Sequence, residues 1–189
     1  MFLYRELLER DLDLEGVVRA LRRLPVVAEL LYGSGLRLIE ALRLRVQDLD
    51  FDRHEHAVRD SKAGKDRRTL LPNRLGDQLR EHLEDVRRTH RADRAQGWEA
   101  IMLPQALARK YRNAERQWDW PWVFPQRKRW NEHPIGKEGR HLDPSAIQKA
   151  VKQAVVRAGL AKPVGWHTFR HSFATHLRER GQDIRTIQE

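Results

Sequence analysis

Gly165-Trp-His-Thr-Phe-Arg-His-Ser-Phe-Ala-Thr-His-Leu-Arg-Glu-Arg-Gly181 is bounded by glycines and carries apolar residues at helical spacing. Phe169, Phe173, Ala174 and Leu177 fall on one stripe of an α-helix, while His167 and Arg170, three apart, share another face. A helix that aims an imidazole and a guanidinium at one point is suited to holding a phosphate. Alone, the pair is equally the solvated face of a surface helix, so the rest of the chain decides.

Working outward, Asp143-Pro144 supplies an N-cap and a first-turn proline for a helix whose residues Ala146, Ile147, Ala150, Val151, Ala154 and Val155 run down one side to Gly159. Far upstream, Leu30, Leu31, Leu36, Ile39, Leu42 and Leu44 also recur at helical spacing, interrupted by Gly33-Ser-Gly35, so two helices are expected to meet at that turn. Just beyond it, Arg37 and Glu40 stand three apart, with Arg43 next in the row. They read either as a surface ion pair, worth about 0–1 kcal/mol, or as an arginine placed by a tight turn and buttressed by a carboxylate. His56–Arg59 and Arg68–Leu71 read as two strands around a Gly-containing loop that presents Lys62 and Lys65. Pro72 closes the second strand, and Leu75, Leu79, Leu83 and Val86 mark a further helix. The expected fold is mainly α with a small antiparallel β-hairpin or sheet, an α+β arrangement.

The chain has 189 residues, enough for one sizeable domain, and 37 Lys and Arg against 27 Asp and Glu give a net charge of +10. That excess favours a polyanionic partner, nucleic acid being the commonest. Cysteine is absent, which excludes a disulfide framework, a thiol nucleophile and a Cys-ligated metal. No apolar run approaches the roughly 20 residues that span a bilayer, and residues 1–10 lack the apolar core of a signal peptide. A cytoplasmic protein with no cofactor and no membrane partner is expected.

Four of the six tryptophans lie in the segment from Trp98 to Trp122, where Trp118-Asp-Trp-Pro-Trp-Val-Phe-Pro125 follows a predicted helix over 105–116. These aromatics among Arg and Lys are either a satellite core or a platform for unpaired bases. The basic stretch 127–141 reads as an exposed loop. His54-x-His56, with His167, His171 and His176, raises a metal-hydrolase alternative. No Glu general base lies between His167 and His171, and no third ligand is placed.

Together, Arg37 with Glu40, Lys62, and His167 with Arg170 offer the donors that phosphodiester strand transfer requires, because charge develops on the non-bridging and leaving oxygens. At Gly35-Leu-Arg-Leu-Ile-Glu-Ala-Leu42, Ser61-Lys-Ala-Gly-Lys-Asp-Arg67 and His167-Thr-Phe-Arg-His-Ser-Phe-Ala-Thr-His176 the sequence resembles the tyrosine recombinase (phage integrase) superfamily. The resemblance implies Arg37 and Arg170 as the phosphate clamp, Glu40 as the acidic partner, Lys62 as the general acid and His167 as the proton-handling imidazole, with Lys65 at a frequent basic position. It also implies partners: duplex DNA, bound by tetramers of the full-length proteins. The segment Met102–Tyr111 with Trp118-Asp-Trp120 and Val123-Phe-Pro125 resembles the insert of integron integrases. That likeness implies a folded single-strand site contacted by Pro104, Trp120 and His141.

Under this resemblance residues 1–25 are the remnant of a core-binding domain and linker, and 26–189 a catalytic domain with an insert at about 92–142. A further helix before Ala28, a Leu-Leu-Gly-His segment and the nucleophilic tyrosine have no counterpart, and Tyr4, Tyr32 and Tyr111 do not match the nucleophile's context. The expectation is a shortened recombinase chain that forms no covalent 3′-phosphotyrosyl intermediate, its alternative description being a non-catalytic DNA-binding remnant.

Overall fold

The computed structural model describes residues 25–59, 66–97, 117–130, 139–160, 164–179 and 181. Helix α1 (Pro25–Ser34) starts at its proline and is interrupted at the Gly-Ser-Gly turn. Val27, Ala28, Leu30 and Leu31 are all at most 1% exposed, so α1 is a central core helix. It packs against helix α5 (Trp166–Glu179), helix α3 (Gly76–Ala95) and the third strand. Helix α2 (Leu38–Leu42) follows after Gly35, whose φ of +62° reverses the chain.

A 3₁₀ turn (Val46–Asp48) leads into a three-stranded antiparallel sheet of β1 (Leu49–Asp50), β2 (Glu55–Val58) and β3 (Arg67–Leu70), in that order. The central residue His56 pairs with Leu49 on one side and Thr69 on the other. The two expected strands are present within a residue. Strand β1 escaped the sequence reading because two residues carry no alternation to detect. The Gly-Ser-Gly turn is tied to β3, as Ser34 Oγ donates to the Leu70 carbonyl at 2.8 Å.

Strands β4 (Pro125–Trp130) and β5 (Gly139–His141) form an antiparallel hairpin with an irregular register, so both ends of the stretch expected as a loop are strand. Helix α4 (Pro144–Arg157) begins as its sequence indicates: Asp143 Oδ1 accepts from the Ser145 N–H at 2.7 Å, and Gly159 ends the helix at φ +70°. One continuous core joins α1, the sheet and α3 to Ile147 and Val151 of α4 and Phe169 of α5. Among the described residues no helix is long and apolar enough to cross a membrane.

The tryptophan segment is stapled to the turn after α2. The Val46 N–H donates to Pro121 O (3.1 Å), the Gln47 N–H to Asp119 O (2.9 Å) and the Val123 N–H to Leu44 O (2.9 Å). Arg45 fills the joint. It is 6% exposed, donates Nη1 to Trp120 O at 2.6 Å, and sets its guanidinium 3.9 Å from the Trp122 ring centroid and 5.6 Å from that of Trp120. Burial lowers the Arg45 pKa to about 10, against the raising effect of Asp48. Trp120, 8% exposed, therefore belongs to a satellite core rather than to an open platform in this structure.

Candidate phosphate site

Glu40 is the centre of the site. It occupies the third position of α2 and reaches back so that the Arg37 N–H donates to Oε2 at 2.8 Å, the reciprocal half of a capping box. Arg37 Nη1 donates to Oε1 at 3.0 Å. From β3, Arg67 donates Nη1 to Oε1 at 3.1 Å and Nη2 to Oε2 at 3.0 Å, a two-pronged contact that matches the planar carboxylate. From α5, Arg170 Nη1 stands 4.0 Å from Oε2 and donates to the Gly35 carbonyl. The Glu40 side chain is 7% exposed, so the surface ion pair considered from spacing is instead a buried carboxylate among three guanidinium groups.

Burial alone would raise the Glu40 pKa. The Arg67 fork, the Arg37 N–H and the positive charges outweigh it, and the net shift is downward. Arg170 is shifted down from its ordinary value by burial first and then by the charge of Arg37, which Glu40 offsets in part. Behind the cluster, His56 is 1% exposed with neither ring nitrogen hydrogen-bonded among the described residues. Burial, then the charge of Arg67, push its pKa down to about 4, so the ring is neutral.

The cluster opens on a cleft of about 600 Å³ between α2, α4 and α5. Arg37, Arg43, Lys152, His167 and Arg170 line it together with apolar residues that include Val151, Val164 and Trp166. Ile39, expected in the core stripe, is 43% exposed because it lines this cleft. Arg37 keeps 43% of its side chain exposed and Arg170 27%, so both retain donors for a ligand.

Four of the five expected catalytic residues, Arg37, Glu40, His167 and Arg170, thus meet around one cleft, while Lys62 lies outside the described residues. Lys65 and Pro104 do too, and for His141 only the backbone, in β5, is described. Arg67 was missed as a site residue. Its signal was present in the basic hairpin motif, but no spacing rule connects a strand residue to a carboxylate 27 positions earlier. His54 lies in an exposed left-handed turn (φ 53°) and His56 is buried in the sheet. Among the described residues no group of three His, Cys, Asp or Glu is placed to hold a metal.

The structure is thus a mainly helical domain in which two arginines beside a buried carboxylate, and an imidazole, line one cleft. The chain belongs to the phage integrase family, the tyrosine recombinases, whose family model matches residues 17–189. It is 42% identical over 213 aligned positions to integrase/recombinases of Escherichia coli and Pseudomonas aeruginosa, covering all of this chain and 63% of theirs. The aligned length exceeds 189, so those relatives carry residues inside the match that this chain lacks. The tyrosine recombinase XerA of Pyrococcus furiosus is 32% identical over 164 residues, 87% of this chain and 44% of that protein. In fold, the chain is similar to a XerA recombinase crystal structure (TM-score 0.62, 23% identity, 92% of this chain and 50% of that one). It is also similar to XerH site-specific recombinase bound to its difH substrate (TM-score 0.59, 21% identity, 93% and 44%). The chain therefore spans 44–63% of the length of these proteins.

Proposed function

We propose that this chain carries the scissile-phosphate site of a site-specific DNA recombinase. The observation that carries this reading is the convergence of Arg37 and Arg170, from helices far apart in sequence, on Glu40 at the mouth of the cleft that His167 also lines. In that role the two arginines neutralise the non-bridging oxygens of a phosphodiester and favour the more negatively charged transition state. His167 handles a proton at the same phosphate, and Lys62 protonates the leaving 5′ oxygen. The nucleophile is a tyrosine in this chemistry. Tyr32, the one tyrosine among the described residues, is 7% exposed and packed in the core, which favours a second reading in which these 189 residues bind DNA without cutting it.

Duplex binding tests both readings. Affinity should fall steeply with salt, and Arg37→Ala or Arg170→Ala should each reduce the slope of log K against log salt by about 1. A salt-independent affinity, or unchanged slopes in both variants, would overturn the phosphate site. A nicked suicide substrate should give no covalent adduct on a denaturing gel under the second reading, and an adduct would restore catalysis to the chain.

The narrower integron-type reading assigns Pro104, Trp120 and His141 to a folded single-strand site, while Lys65 stays a basic DNA contact of the wider family. Its support is the attachment of the tryptophan segment to residues 44–47, directly after the clamp helix. Because Trp120 is packed beneath Arg45, a base stacking on it must displace part of that joint. Trp120→Ala should then weaken a bulged hairpin about 5-fold or more beyond its effect on plain duplex, the scale of one lost base stack. Equal loss on both substrates would leave Trp120 as packing only.

A further inference from the structure

Resting on the phosphate-site reading, we propose that Arg67 is a positioning residue that keeps the clamp open for its anion by saturating Glu40. A carboxylate offers about four acceptor positions. In Glu40, Oε1 takes Nη1 of Arg37 and Nη1 of Arg67, and Oε2 takes the Arg37 N–H and Nη2 of Arg67. All four are filled, and Arg67 fills two of them. Arg170, 4.0 Å from Oε2, is held by charge at a distance beyond hydrogen bonding, and its Nη1 goes to the Gly35 carbonyl instead.

Arg67 does not line the cleft and is only 18% exposed, whereas Arg37 and Arg170 both line it and are more exposed. The guanidinium with the strongest hold on Glu40 is thus the one least able to reach a ligand. Without the fork, two acceptor positions become free beside the guanidinium groups of Arg37 and Arg170. Arg37 and Arg170 then close on Glu40, and the donors that a phosphate needs are consumed internally. The planar fork is what the task requires, because a lysine carries the charge but presents a single point to one oxygen at a time.

The test uses the full 189-residue chain, with inorganic phosphate as probe and the side-chain Nε–Hε resonances of Arg37 and Arg170 as readout. In the wild type both resonances should move as phosphate is added. In Arg67→Lys, net charge is unchanged, phosphate affinity should fall at least 5-fold, and the phosphate-free Arg170 resonance should already be displaced. On a Glu40→Gln background, Arg67→Lys should cause no further loss, since the carboxylate it restrains is gone. Arg67→Lys that folds and binds phosphate like the wild type would overturn the inference. An affinity loss that persists equally on the Glu40→Gln background would instead make Arg67 a direct ligand, and would overturn it as well. A wild-type chain whose Arg37 and Arg170 resonances ignore phosphate would overturn the underlying site reading, a distinct outcome. Should Arg67→Lys fail to fold, Arg67→Gln, which keeps a planar donor with one prong, is expected to give an intermediate affinity, and wild-type affinity in it would overturn the inference.

Discussion

Glu40→Gln is expected to destabilise the protein by about 2–4 kcal/mol in urea unfolding at pH 7, toward the lower part of the range for breaking buried ion pairs because Arg37 and Arg170 remain partly solvated. The substitution preserves shape, yet it turns an N–H₂ group toward guanidinium donors and leaves three positive charges without their shared counter-charge. The pH profile provides an independent signature. Glu40 has a folded pKa below its ordinary value of 4.5, so its stabilising effect is full above about pH 4.5 and is lost as pH falls through the folded value. That acid limb should flatten in Glu40→Gln. His56 acts at higher pH. Its pKa falls from 6.5 to about 4 on folding, so the unfolded chain binds the proton first and stability declines as pH drops from about 6.5 toward 4 in both proteins. A variant as stable as the wild type, with an unchanged acid limb, would mean that Glu40 is no structural hub.

The second large effect is expected at Gly35. An added Cβ would lie 2.3 Å from Cδ1 and 2.5 Å from Cε1 of the Phe173 ring, at a residue whose φ is +62°. The left-handed backbone costs an L-residue about 1–2 kcal/mol, and overpacking typically adds 1–3 kcal/mol, so Gly35→Ala should lose about 2–5 kcal/mol. It should also weaken phosphate binding in the molecules that remain folded, because pushing α5 away shifts the carbonyl that receives Arg170. Gly165→Ala is the matched control: its Cβ meets nothing within 4 Å, and the change should be small. Equal stabilities of the two variants would show that α5 is not seated against this turn.

The local signals were legible wherever a single residue dictates geometry. Asp143-Pro144 opens α4, Gly159 closes it, and Gly33-Ser-Gly35 separates α1 from α2, each because few residue types satisfy that backbone. Arg37, Glu40, His167 and Arg170 were legible through motif spacing, and the structure gathers them in one cleft. What spacing did not show was burial. Glu40 looked like one end of an i, i+3 pair, and only the approach of β3 and α5 makes it a buried centre with Arg67 as its strongest partner. Trp120 was ambiguous for the same reason. Its surroundings are set by Arg45, 75 positions away, and no local pattern reports that contact. Strands β4 and β5 were hidden because their mostly polar and basic residues show no apolar alternation to detect.

The hydrogen bond from Arg170 to Gly35 spans 135 positions of the chain. On a ribosome adding 5–20 residues per second, Gly35 and its neighbours are made roughly 7–27 s before Arg170. Throughout that interval α1 lacks the helix that covers it, and Glu40, even once Arg67 has been made, stands without Arg170. The cleft that Arg37 and Arg170 share is therefore completed late in synthesis, when α5 seats on the Gly35 turn. A nascent chain stalled before that point carries Arg37, Glu40 and Arg67 but lacks the wall of the cleft that α5 supplies.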